Sequence, residues 1–376
     1  MIRAVVPLNT DAACKLAVLD QSADAVRAWL AAHDQPAWRE KQIRRWIVAN
    51  RAESFEQMSD LPKDLRPELA KAFSPLGTVV VRHLLAKDST HKLLLRLNDQ
   101  RHIECVLIQE DERRTACIST QVGCGMGCVF CASGLNGVDR NLTAGEILEQ
   151  LVRLRNLLPA EERLTHIVVM GMGEPLANLD GLLQALEVAG QKDGLNIGAR
   201  HITISTVGLP KKIRQLADGG RQYHLAVSLH APNDALRNQI VPTNESIGLA
   251  EILSAADYFF DKTGRQVTFE YVLLGGMNDG TMQARELASL LRNRKAHVNL
   301  IPFNEVEGLP YRLPAPEALA AFIDRLQREG ISVKVRKRKG SDIDAACGQL
   351  RRQVEADLDR NPPRPEGLNS AVAEHT

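Results

Sequence analysis

Cys124, Cys128 and Cys131 stand in the run G-C-G-M-G-C-V-F-C-A, with the spacing C-x3-C-x2-C. Iron–sulfur clusters ordinarily take four cysteines, so three thiolates on one short loop suit a [4Fe–4S] cluster whose fourth iron lacks a protein ligand. In radical chemistry that open iron takes S-adenosylmethionine (SAM), held through its amino and carboxylate groups. Phe130, just before the third cysteine, fits the same pattern. The competing reading is a structural zinc site completed by Cys117. Zinc thiolates usually come as two short clips separated by a longer spacer, which this run is not.

Other chemistry-bearing residues fall at the ends of strand-like runs. Met170 to Asn178 reads M-G-M-G-E-P-L-A-N. Glycines there let the backbone approach a ligand, and a carboxylate can hold a cationic amine, so Gly173 and Glu174 are candidates for the SAM amino group. Ser205, the run Ser228-Leu229-His230 and Asn304 also sit at strand ends. Each could be only a turn or cap residue. Their shared position on one predicted face argues for a polar ligand ring. Among the remaining cysteines, Cys14 and Cys105 read as small buried hydrophobes. Cys347, flanked by Asp344 and Gly348, stays open between a buried thiol and a nucleophile on an exposed loop. Glu104, taken alone, reads as a surface strand carboxylate.

These residues need a frame. The 376-residue chain, 44% hydrophobic and 25% charged, is long enough for one large α/β unit and a small accessory one. From Ser22 to Phe73 the pattern predicts three short helices, with Pro62 as a helix-entry signal. Val79–Ala86, His91–Leu97 and His102–Ile108 read as strands separated by turn signals. A short strand over Thr115–Thr120 precedes the cysteine loop, and T-A-G-E predicts a helix starting near Thr143. Thereafter strands alternate with helices: His166–Met170, His201–Ser205, Leu225–Ser228, Val267–Leu274 and Val298–Pro302, then a last stretch at Ile331–Val335. Six β/α units predict a parallel sheet curled into a partial barrel, with function at the strands' C-terminal ends.

Composition narrows the setting. Seven cysteines, four of them crowded between 117 and 131, fit a reducing compartment rather than a disulfide scaffold. No leader pattern and no apolar run of spanning length are visible, which predicts a cytoplasmic, membrane-free protein. Lys+Arg 47 against Asp+Glu 46 leaves any polyanion binding to local patches. Two such patches are Arg39, Lys41, Arg44 and Arg45 beside Trp38 and Trp46, and Lys334 with Arg336–Lys339.

The motif order resembles the radical-SAM RNA adenine methyltransferases, the RlmN/Cfr family. It runs Cys117, C-G-M-G-C-V-F-C, R-N-L-T-A-G-E-I, G-M-G-E-P-L-A-N, S-L-H-A, I-P-F-N and D-I-D-A-A-C-G-Q-L, across roughly residues 20 to 350. The resemblance implies a partial (β/α)6 radical-SAM barrel over 111–350 and a strand extension over 77–110. It also implies a helical RNA-binding domain over 1–76, with 351–376 as a tail. The activity implied is methylation of adenosine C2 in 23S ribosomal RNA, with transfer RNA as a second candidate substrate. C8 methylation within the same family and a glycyl-radical activase are the alternatives.

The same resemblance implies the residues' roles. Cys124, Cys128 and Cys131 bind the cluster, while Gly173, Glu174, Ser205, Ser228, Leu229, His230 and Asn304 bind SAM. One SAM methylates the Cys347 thiolate, and a second yields the 5′-deoxyadenosyl radical that takes a hydrogen from that methyl group. The resulting carbon radical adds to an adenine carbon that is not nucleophilic. Glu104 then accepts a proton, and Cys117 resolves the RNA–protein thioether by forming a disulfide with Cys347. Two SAM molecules per turnover, a reduced flavodoxin- or ferredoxin-type electron donor and a monomeric enzyme complete the expectation.

Overall fold

The computed structural model describes residues 15–305, 308–336 and 351. Cys14 and Cys347 lie outside them, as does the tail after Arg351. Three helices open the described chain: α1 (Ala23–Ala31), α2 (Arg39–Val48) and α3 (Leu65–Ala72). Ser22 caps α1 by accepting from Ala25 N at 3.1 Å, and the i, i+4 pair Val26 and Leu30 is fully buried. Pro62 is not the helix entry. It lies before α3, and its carbonyl accepts from Leu65 N at 3.2 Å. The proline in the first turn is Pro67, where a missing N–H costs nothing.

Strands β1 (Val79–Leu85), β2 (His91–Arg96), β3 (His102–Glu110) and β4 (Arg113–Cys117) form an antiparallel run. The chain then alternates: α4 (Ala144–Asn156), β5 (His166–Val169), α5 (Leu179–Gly190), β6 (Ile202–Thr206), α6 (Pro210–Asp218), β7 (His224–Ser228) and α7 (Asp234–Ile240). There follow α8 (Leu249–Thr263), β8 (Val267–Leu273), α9 (Thr281–Leu291), β9 (Ala296–Pro302), α10 (Pro316–Arg328) and β10 (Ser332–Val335). All ten strands join one sheet in which spatial order follows chain order, β10 at one edge and β1 at the other. From β4 to β10 every pairing is parallel. The last stretch is therefore a seventh parallel strand added to the six expected. The strand expected at Thr115–Thr120 ends at Cys117; Gln121–Gly123 instead pairs antiparallel with Val138–Asn141, outside the main sheet.

One apolar layer joins Leu93, Leu95, Leu107, Ile167, Ile204 and Val227 of the sheet to Leu151, Leu182, Ile213 and Phe259 of the helices. Because side chains alternate across a strand, the other face of the sheet is left for chemistry. Thr143 caps α4 through the expected capping box with Glu146. The helical module is locked to the barrel by two arginines. Arg155 donates to the carbonyls of Ile47, Val48 and Ala49, at 3.2, 2.6 and 3.1 Å. In return Arg51 donates to Leu158, Pro159 and Glu162 carbonyls beyond the end of α4, at 2.5, 3.0 and 2.6 Å. Arg155 thus satisfies orphan carbonyls at the C-terminus of α2, while Arg51 holds the carbonyls of the loop that follows α4.

Candidate active site

The cysteine loop closes on itself and docks on α7. Cys124 N donates to Gly137 O at 2.7 Å, Val129 N to Ile240 O at 3.1 Å, and Thr243 Oγ1 to Met126 O at 3.0 Å. Met126, Cys128 and Phe130 pack on a second apolar cluster that includes Val207, Val241 and Phe303. Phe130 meets the His230 ring edge-on at 4.9 Å between centroids. Burial pushes the Cys124 thiol up to about 12, offset in part by N–H groups of Met126 and Gly173. Burial and the neighbouring Cys131 and Cys124 push Cys128 up as well, against the opposing pull of Arg237.

Thiols so placed ionise only beside strong positive charge, which iron supplies. Among the described residues no three Cys, His, Asp or Glu side chains are spaced to close on a single metal ion. A cubane attaches each thiolate to a different iron, whereas zinc draws all its ligands to one point. Three thiolates on one short loop are a donor set that fits a cubane.

Next to the loop, Met170–Asn178 is zipped to the segment that follows β4. Thr120 N donates to Met172 O at 2.8 Å, and Met172 N to Ser119 Oγ at 2.9 Å. Gln121 Oε1 accepts from Glu174 N, and its Nε2 donates to Asn141 Oδ1, both at 2.8 Å. Gly173 adopts φ +101°, a region that favours glycine. Glu174 is buried with both oxygens engaged, Oε1 by Leu176 N at 3.0 Å and Oε2 by Val207 N at 2.8 Å. Burial raises its pKa despite those donors. A carboxylate accepts at four lone pairs, so room remains for the SAM ammonium that such a site calls for.

Ser205, next to the last residue of β6, and Ser228, the last of β7, are half-buried on the inner face. His230 has φ +60°, accepts from Val272 N at 3.1 Å, and is held by burial and Arg237 down to about 3, so it stays neutral. The Asn304 side-chain oxygen is buried and lacks a hydrogen-bond partner among the described residues, which fits a ligand donor. Leu229 differs from its neighbours. Its side chain belongs to the core, and its carbonyl is taken by Arg237 Nε at 2.9 Å.

Arg237 and Asn278 are residues that sequence reasoning missed. Arg237, buried on α7, also donates to Val207 O at 2.5 Å, Ser228 O at 3.0 Å and Asn244 Oδ1 at 2.6 Å. It thereby ties the ends of β6 and β7 to the helix that supports the cysteine loop. Asn278 donates to His230 O and Val272 O, at 2.8 and 2.7 Å. The N-D-G turn around Asn278 was a legible signal; nothing local marked Arg237.

Glu104 is not a surface carboxylate. It is 1% exposed on β3, and its Oε2 stands 2.9 Å from Lys92 Nζ on β2, which is 0% exposed. Its Oε1 accepts from Arg351 N at 2.6 Å, four positions beyond Cys347 in the chain. The pairings Lys92↔Val106, Leu94↔Glu104 and Val106↔Cys117 put Lys92, Glu104 and Cys117 on one face of the sheet. Glu104 and Cys117 occupy diagonal positions, about 7–8 Å apart. Cys105, on the opposite face, is a core side chain as expected. Of the first basic patch, Lys41, Arg44 and Arg45 but not Arg39 line, together with Arg27, a cleft of about 550 Å³ between α1–α2 and α4–α5. Glu40 pairs with Arg44 at 2.5 Å there, giving that arginine a structural partner.

Known proteins resemble this chain over most of its length. The profile of the Radical SAM superfamily matches residues 118–288, and that of the ribosomal RNA large subunit methyltransferase N-terminal domain matches residues 16–74. A probable dual-specificity RNA methyltransferase RlmN of Rhodopirellula baltica is 56% identical over 335 residues, covering 89% of this chain and 90% of the relative. The similarly named protein of Geobacillus thermodenitrificans is 46% identical over 329 residues, covering 87% and 90%. A crystallised radical SAM methyltransferase from Sphaerobacter thermophilus superposes with a TM-score of 0.84 at 43% identity, covering 89% of this chain and 98% of that one.

Proposed function

Since the chain belongs to the RlmN family of radical-SAM RNA methyltransferases, we infer that it methylates C2 of an adenosine in 23S ribosomal RNA. The name of its relatives, dual-specificity RNA methyltransferase, supports a second RNA substrate, for which transfer RNA is the reading. The observation that carries the mechanism is the cluster of Lys92, Glu104 and Cys117 on the sheet's inner face, with Arg351 N on the Glu104 carboxylate. Cys347 itself lies outside the described residues, four positions before Arg351 in the chain.

Cys124, Cys128 and Cys131 hold the cluster, and the polar ring around Glu174 holds SAM. When bound, the cluster supplies the electron that cleaves SAM and so opens radical chemistry. Cys347 carries the methyl group as a thioether, using one SAM, while a second serves the radical step. After losing a hydrogen atom, that carbon bonds to C2 of the adenine. Glu104 takes the proton leaving C2. The adduct's one surplus electron would return to the cluster. Cys117 then attacks Sγ of Cys347 as a thiolate, and the S–C bond breaks. The departing carbon takes up a proton to become the methyl group, and a disulfide between Cys117 and Cys347 is left. A reduced electron donor of the flavodoxin or ferredoxin class resets the enzyme. The helical module, with its basic cleft, is the reading for an RNA-gripping domain, and the enzyme is read as a cytoplasmic monomer. No helix among the described residues is long and apolar enough to cross a membrane.

Mass mapping tests the function. Unmodified 23S ribosomal RNA incubated with the reconstituted enzyme and SAM should gain 2-methyladenosine at one position. 8-Methyladenosine as the product overturns the regiochemistry, and unmodified RNA from an enzyme that cleaves SAM overturns the substrate.

A further inference from the structure

Lys92 is a lysine with no exposed surface, in a strand whose buried neighbours are leucines. Lysines normally keep their ammonium in water, and a fully buried one needs acceptors facing it. Its Nζ lies 2.9 Å from Glu104 Oε2, and the opposite oxygen of that carboxylate accepts Arg351 N at 2.6 Å. The Glu104 backbone is held too, its carbonyl accepting Ser119 Oγ at 2.6 Å. A carboxylate gripped at both oxygens and at its own backbone cannot rotate freely.

We propose that Lys92 is the positioning residue for the proton acceptor, orienting Glu104 toward the base carbon and supplying its buried counter-charge. The inference rests on the reading of Glu104 as that acceptor. In the step concerned the C2–H bond of the RNA adduct breaks, its electron pair stays with the ring, and the proton passes to a Glu104 oxygen. Lys92 neither gains nor loses a proton. Proton transfer by a positioned side chain contributes at least about a hundredfold, so misplacing that side chain should forfeit a loss of this order.

The test compares Lys92→Met, Glu104→Gln and the double variant in the full-length, cluster-loaded enzyme, with RNA carrying hydrogen or deuterium at the target C2. For Lys92→Met the expected result is unchanged SAM affinity, unchanged methyl loading and unchanged KM for RNA. kcat should fall about a hundredfold, and deuterium should slow turnover a further twofold or so, because proton removal has become rate-limiting. A merely structural lysine would lower the active fraction without an isotope effect. If Glu104→Gln shows the isotope effect while Lys92→Met turns over normally, or fails without one, the role of Lys92 is refuted. If Glu104→Gln retains turnover, the acceptor reading itself falls. Where Lys92→Met does not fold, the double variant decides, since it removes both buried charges together. A residue acting through Glu104 adds nothing to the Glu104→Gln defect, whereas a further tenfold loss refutes the proposal.

Discussion

Gly173→Ala isolates the junction between the cysteine loop and the residues proposed to bind SAM. A Cβ built at Gly173 would stand 2.6 Å from Gln121 Cβ, 2.8 Å from its Cγ and 2.8 Å from its backbone N. None of these is the free end of a flexible side chain. Gln121 is pinned by Asn141 on one side and by Glu174 N on the other. Moving it therefore breaks the hydrogen bond that orients Glu174. The φ of +101° adds about 1–3 kcal/mol of backbone strain for alanine, and a lost buried hydrogen bond adds about 1–3 kcal/mol. The sum is about 2–6 kcal/mol. At about 2.1 cal/mol/K per residue, with some 300 residues unfolding together, that is a Tm lower by about 3–10 °C. Gly220→Ala is the control: its φ is +67°, yet nothing lies within 4 Å of its would-be Cβ. It should lose only the conformational part, about 1 kcal/mol or 1–2 °C. Thermal melts of both variants, with SAM titrations by calorimetry, make the measurement. Gly173→Ala melting within 2 °C of the parent and binding SAM normally would refute the argument that this contact sets the site.

Other outcomes follow from single contacts. Cys128→Ala should lose iron and the broad absorbance near about 400 nm together, because two remaining thiolates cannot hold the cluster; full iron content would overturn the ligand assignment. Glu174→Gln should weaken SAM binding while keeping the fold, since an amide offers no charge to an ammonium. Cys117→Ala should accumulate RNA joined covalently to the protein, seen as a retarded, nuclease-sensitive band; its absence despite methyl loading would sink the two-cysteine scheme. Arg155→Met should cost about 2–3 kcal/mol in urea unfolding by stripping the donor from three helix-end carbonyls. His230 is neutral in the folded protein down to about 3 but protonates near 6.5 when unfolded. The unfolded chain therefore binds the extra proton between those values, so stability falls as pH drops from 6.5 toward 3. His230→Asn, which tolerates positive φ, should flatten that part of the stability–pH curve; an unchanged curve would exclude the imidazole as its source.

Much of this protein is local and therefore legible in the chain. The C-x3-C-x2-C spacing is a candidate ligand set within eight residues, and the cap at Thr143 is a contact over three. Period-2 and period-3.6 hydrophobicity locate strands and helices because each element buries one face. What the chain does not announce is which residues from different elements meet. Pro62 and Pro67 are both plausible helix entries in sequence; only the observed turn distinguishes them. Glu104 has the pattern of an exposed strand carboxylate until β2 and β4 pair on either side of it and close its face of the sheet. Lys92 and Glu104 are twelve positions apart, and each alone reads as solvated charge; burial makes them a pair. Arg237 shows the same limit more strongly, because its partners come from β6, β7 and the turn after α7. Charges of this kind acquire meaning from the dielectric around them and from the donors and acceptors they face. Both are properties of the packed sheet and its loops, not of any stretch of sequence.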